Sequence, residues 1–113
     1  MITAAIILFL LGAAGGLAMT IMSFRGKTIP WLLAIGHGVL GAAGLFLLLV
    51  AVIRGTGGQV ATIAFVILLA AALGGFYLVS FHIRKQTHPR GVIVVHALVA
   101  VAGVLTLLGS VIA

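Results

Sequence analysis

Cysteine, aspartate, glutamate and asparagine are all missing from these 113 residues. Each absence closes a class of chemistry. Without cysteine the chain forms no disulfide, offers no thiolate and ligates no iron–sulfur cluster. Without a carboxylate it has no acid–base pair, no calcium site and no carboxylate proton relay. Charge of either sign is scarce: charged residues make up 5% of the chain, against about 25% in a soluble domain. The net charge of +6 resembles a nucleic-acid signal. Six bases at the ends of apolar runs are too few for that role, so no nucleic-acid partner is expected. They read as topology signals and lipid-headgroup contacts.

What remains is apolar, 65% of the chain. Four runs, at 2–24, 31–53, 60–83 and 91–112, reach the roughly 20 residues that a bilayer crossing needs. The first lacks a basic leader and is too long for a signal-peptide core, so it reads as a mature span. Short polar breaks separate the runs: Arg25-Gly-Lys-Thr-Ile-Pro30, Arg54-Gly-Thr-Gly-Gly-Gln59 and Arg84-Lys-Gln-Thr-His-Pro-Arg90. Pro30 and Pro89 stand where a new helix begins, and a missing N–H costs nothing there. Short loops make neighbouring spans antiparallel. The expected fold is therefore all-α: one four-helix transmembrane up-down bundle over residues 1–113. Loops one and three hold five bases and loop two only Arg54. The positive-inside rule then puts both termini outside the cytoplasm, with a bacterial inner membrane as the expected location.

The chain is also an internal repeat, with halves at about 2–54 and 61–113. Shifted by 59 residues, Arg25, Thr28, Pro30, His37 and Gly44 fall on Arg84, Thr87, Pro89, His96 and Gly103, and Gly15-Gly16 falls on Gly74-Gly75. Over 2–53 against 61–112, 16 of 52 positions are identical. Apolar identities mean little in such a chain, so the Arg, Thr, Pro, His and paired-Gly matches carry the inference. The halves keep one orientation and are related by an axis along the membrane normal.

His37 and His96 each follow the matching proline by seven residues, which places both about 10 Å deep at 1.5 Å per residue. Ionisable side chains are expensive at that depth and mark function. The second and fourth spans stand diagonally opposite in a simple bundle, so two imidazoles can face each other across its core. His37, Gly41 and Gly44 share one helix face, and His96, Ala100 and Gly103 repeat the pattern. Gly15, Gly16, Gly74 and Gly75 should lie level with the histidines and leave room for the edges of a flat macrocycle. Each imidazole is expected to give its other N–H to the carbonyl four residues back, at Leu33 or Val92. Arg25, Lys27, Arg84, Lys85 and Arg90 lie on the near side, where anionic propionates would sit. His82 and His88 read as interfacial, with His82 the reserve candidate for a second site. Trp31 reads as an interface anchor. Tyr77 reads as a deeper residue, in the core or against the macrocycle.

On these residues the chain resembles the membrane b-type cytochromes, whose helical bundles hold haem between histidines on different helices. The resemblance covers the bundle plan, and its motifs are sparse. It implies a single b-type haem (heme b), with His37 and His96 as axial iron ligands. Gly15, Gly16, Gly41, Gly44, Gly74 and Gly75 would pack around it, and Arg25 and Arg84 would meet its propionates. It implies electron transfer rather than stand-alone enzymology, with a quinone or redox partner subunit, in a homo-oligomer or larger membrane complex. Two other classes stay open. One is a cofactor-free accessory subunit of a membrane complex; the other is a small four-helix transporter or channel. The small multidrug exporters need a membrane carboxylate and the fluoride channels a polar asparagine, and this chain has neither. For the histidine pair itself, hydrogen-bonded core residues or another metal are the competing readings.

Overall fold

A computed structural model describes residues 1–112. It contains four helices: α1 (Ile2–Phe24), α2 (Trp31–Ile53), α3 (Gly58–Ile83) and α4 (Arg90–Ile112). No strand occurs among the described residues. The bundle measures 42 × 23 × 20 Å, and its length matches the roughly 40–45 Å of a bilayer with its headgroups. All four helices are long and apolar enough to cross a membrane, with mean hydropathy from 2.2 to 2.5. Only 17–22% of each apolar window is buried inside the bundle. Helices that are apolar all round need an apolar solvent, so this is an integral membrane protein.

The chain runs up and down around a ring. The closest packing is within the hairpins α1–α2 and α3–α4, and the looser seams are α2–α3 and α1–α4. The helices α2 and α4 are therefore diagonal. The two equivalent loops turn alike. Arg25, Gly26 and Lys27 donate backbone N–H bonds to Ile21, Ser23 and Met22, while Arg84, Lys85 and Gln86 donate theirs to Ser80, His82 and Phe81. Gly26 has φ +70° and Lys85 +55°, so the second copy holds a lysine where the first uses glycine. In the other loop, Gly57 is left-handed at φ +78°, and a Cβ on it would stand 2.6 Å from Ile2 Cδ1. Both conformation and space require glycine there.

Packing is uneven along the bundle axis. The closed core comprises Ile2, Ala5, Ile6 and Phe9 of α1, Leu48 and Ala51 of α2, Ala61, Ala64 and Leu68 of α3, and Leu107 of α4. All of these lie toward the termini and the 54–57 loop. Alanines there bring the backbones close, which is how membrane helices gain contact without a hydrophobic drive between them. Toward the 25–30 and 84–89 loops, Ile93 is the one buried large side chain among the described residues. The histidines lie in this open half.

Gly44 and Gly103 belong to the closed half. A Cβ on Gly103 would stand 2.6 Å from Leu68 Cγ, and one on Gly44 2.8 Å from the Phe9 ring. Their equivalence in the repeat therefore reflects helix packing, and Gly44 is occupied by Phe9 rather than kept clear for a macrocycle. Gly41 faces open space. Gly103→Ala should destabilise the bundle by about 1–3 kcal/mol through overpacking against the buried Leu68, whereas Gly41→Ala should not. Thermal unfolding in detergent, followed by circular dichroism, checks this; equal midpoints for the two variants would refute it.

Candidate histidine-pair site

His37 on α2 and His96 on α4 meet across the diagonal. Their ring centres are 6.2 Å apart and their planes cross at 78°. Both rings are half-buried. Each is fixed from behind by a hydrogen bond to the partner helix of its own hairpin. His37 Nδ1 donates to the Gly12 carbonyl at 2.7 Å, and His96 Nδ1 donates to the Ala71 carbonyl at 2.7 Å. A carbonyl only accepts, so Nδ1 carries a proton, and in the neutral ring Nε2 keeps its lone pair. These partners replace the expected Leu33 and Val92. A carbonyl four residues back lies along the ring's own helix axis, whereas packing brings the carbonyls of α1 and α3 to the ring nitrogens. Gly12 and Ala71 are themselves related by the 59-residue shift.

Neither Nε2 has a hydrogen-bond partner among the described residues, and no buried side-chain nitrogen there lacks one. Each Nε2 therefore borders accessible space. Two imidazoles sharing one metal, each bonded at about 2 Å through nitrogen with its ring centre about 1 Å beyond, have centres about 6 Å apart. The observed separation agrees with this, and it equally matches a direct edge-to-face contact of the two rings. No cluster of three or more His, Cys, Asp or Glu side chains forms among the described residues. A zinc ion wanting four protein ligands is thus poorly served. A metal that brings its own in-plane donors needs only two.

The glycine pairs seat the imidazoles. A Cβ on Gly16 would stand 2.9 Å from His37 Cε1, and one on Gly75 3.2 Å from His96 Cε1. Gly15 and Gly74 meet the same rings at 3.7 and 3.6 Å. They are level with the histidines, as their spacing implies. The space they vacate is filled by the rings rather than left for the edges of a macrocycle. A lateral, mostly apolar cleft of about 450 Å³ opens beside His37, lined by Leu11, Gly15, Leu33, Gly36 and Leu40.

The remaining sequence candidates fall elsewhere. Tyr77 is 53% exposed and packs edge-on against Phe81, so it faces lipid and not the core. Arg84 folds back on its own helix, donating to the Ser80 hydroxyl and carbonyl, with its guanidinium 4.5 Å from the Phe81 ring. Arg90 lies over the Phe24 ring. Arg25 is exposed at the end of α1. His82 and His88 stand apart from the pair. The His82 ring lies 4.0 Å from Trp31 and 5.7 Å from His88, centre to centre. Burial, and then the neighbouring His82, hold the His88 ring below its ordinary value of 6.5. The carbonyl partners Gly12 and Ala71 and the Trp31–His82 contact were not read from the sequence. For the carbonyls a signal existed, since each lies four residues before the second glycine of its pair. No protein-family model, curated protein or solved structure matches this chain.

Proposed function

We propose that this protein is a membrane b-type cytochrome subunit that transfers electrons through one haem held between His37 and His96. The observation that carries this reading is the 6.2 Å separation of two rings whose Nδ1 atoms are already committed to carbonyls. Two imidazoles at this separation, each with Nδ1 committed to a carbonyl and with no third His, Cys, Asp or Glu beside them among the described residues, suit a metal held in a planar macrocycle. The pair lies in the more loosely packed half of the bundle, which supports the reading. When bound, the group supplies one-electron chemistry at iron, tuned by axial ligand and burial.

The chain's own part is to hold and to exclude. Gly12 and Ala71 fix the tautomers and raise the basicity of both imidazoles. Gly16 and Gly75 let the rings sit flush against α1 and α3. With both histidines as ligands no position would remain for oxygen or peroxide, which favours electron transfer over oxidation of a bound substrate. Lys27 and Lys85 are the cations at the near end, together with Arg25. Five bases against one orient that end toward the cytoplasm. A site near one face does not carry electrons across the whole bilayer, so a quinone or a partner subunit is implied.

The visible spectrum of the purified protein tests this. Expression with adequate haem should give a sharp, reducible band pair typical of low-spin iron. A colourless, folded preparation would overturn the proposal in favour of a cofactor-free subunit or a small transporter.

A further inference from the structure

The end of the bundle nearest the histidines carries a second cavity. A cleft of about 480 Å³ lies between the two equivalent loops. Its polar lining includes Lys27, Lys85, His82, His88, Trp31 and Thr28. We propose that this cleft is a binding site for a phosphate group, held between the Lys27 and Lys85 ammonium groups.

Three observations carry this. First, the lining is rich in donors: two ammonium groups, two imidazoles, an indole N–H and hydroxyls. No Asp or Glu side chain exists in the chain to neutralise them. An anion must come from outside, and basic pockets between membrane helices at one face suit a phosphate headgroup. Second, the left-handed position that closes α3 holds one of these cations where glycine would be the ordinary choice. Lys85 is the only non-glycine residue with positive φ among those described, at +55°, in the position where the other repeat has Gly26. A left-handed lysine is unfavourable by itself. Third, a cation is the wrong guest. His82 and His88 are near enough to share a metal, with ring centres 5.7 Å apart, yet two lysines line the same space and repel it.

The phosphate has two sources, an anionic phospholipid or free phosphate. The sequence contains one tryptophan, and Trp31 lines the cleft, so its fluorescence reports occupancy. The protein in a maltoside detergent, which carries no phosphate, is titrated with short-chain phosphatidylglycerol and separately with inorganic phosphate. A saturable change with the lipid alone assigns a headgroup site; a change with both assigns a site open to free phosphate as well. Lys27→Gln and Lys85→Gln should each weaken binding about fivefold, the factor that about 1 kcal/mol per surface cation sets. Arg54→Gln, at the opposite end, should leave it unchanged. No response to either ligand, or equal binding by parent and lysine variants, would overturn the assignment. A His96→Leu variant separates this site from the proposed haem. It should lose haem and keep the Trp31 titration, so each proposal fails alone.

Discussion

His37→Ala and His96→Ala variants are expected to lose the low-spin haem spectrum, while His82→Ala and His88→Ala keep it. The size of the effect follows from the ligand's place in the site. Removing an outer partner of a metal ligand weakens binding by about 10- to 100-fold, and removing the ligand itself should exceed that. The fold should survive, because the Gly12 and Ala71 carbonyls are helical and keep their ladder partners. Neither histidine belongs to the closed core. Circular dichroism and absorption on the same samples separate loss of the ligand from loss of the bundle. Free imidazole added to the His96→Ala protein should restore part of the spectrum by filling the vacated position. If His88→Ala bleached the protein and His96→Ala did not, the site would lie in the loop cleft instead.

Gly16→Ala should weaken haem binding by about 10- to 100-fold, the range for disturbed outer-shell support, with little loss of fold stability. The added Cβ would stand 2.9 Å from His37 Cε1. The ring can yield only by swinging, and swinging stretches its 2.7 Å bond to Gly12 and shifts Nε2 from its place. Alanine is also the better helix former, by roughly 0.5–1 kcal/mol, which offsets part of the crowding. Affinity and stability should therefore move independently. Gly75→Ala meets its ring at 3.2 Å and should show the same effect more weakly. Haem titration of the apo-protein, paired with thermal unfolding, reads both quantities. Binding by Gly16→Ala that equals the parent's would show that the glycine pairs serve helix packing alone.

The spans were legible almost to the residue. The expected 2–24 and 31–53 coincide with α1 and α2, while α3 begins two residues earlier than expected, at Gly58, and α4 one earlier, at Arg90. Hydropathy marks where apolar side chains start, but a helix starts where backbone bonds start. The Pro89 carbonyl already accepts from Ile93, which brings the charged Arg90 into the helix. The meeting of His37 and His96 was legible because a repeat fixes their common depth and short loops fix the diagonal. Their hydrogen-bond partners were not. Sequence offers the local carbonyl at Leu33, and only packing shows that α1 brings Gly12 nearer. Tyr77 was misplaced for a related reason. In a helix apolar on every side, periodicity does not say which face meets lipid.

Each hairpin carries its own imidazole, its own carbonyl and its own glycine pair, and the hydrogen bonds that orient each ring stay within that hairpin. The centre is thus two complete halves that need only be brought together. A free hairpin meeting a second copy about a twofold axis would assemble the same pair, at a rate set by encounter in the bilayer. The linker at 54–57 turns that encounter into an intramolecular closure, with an effective concentration on the millimolar scale of a short tether.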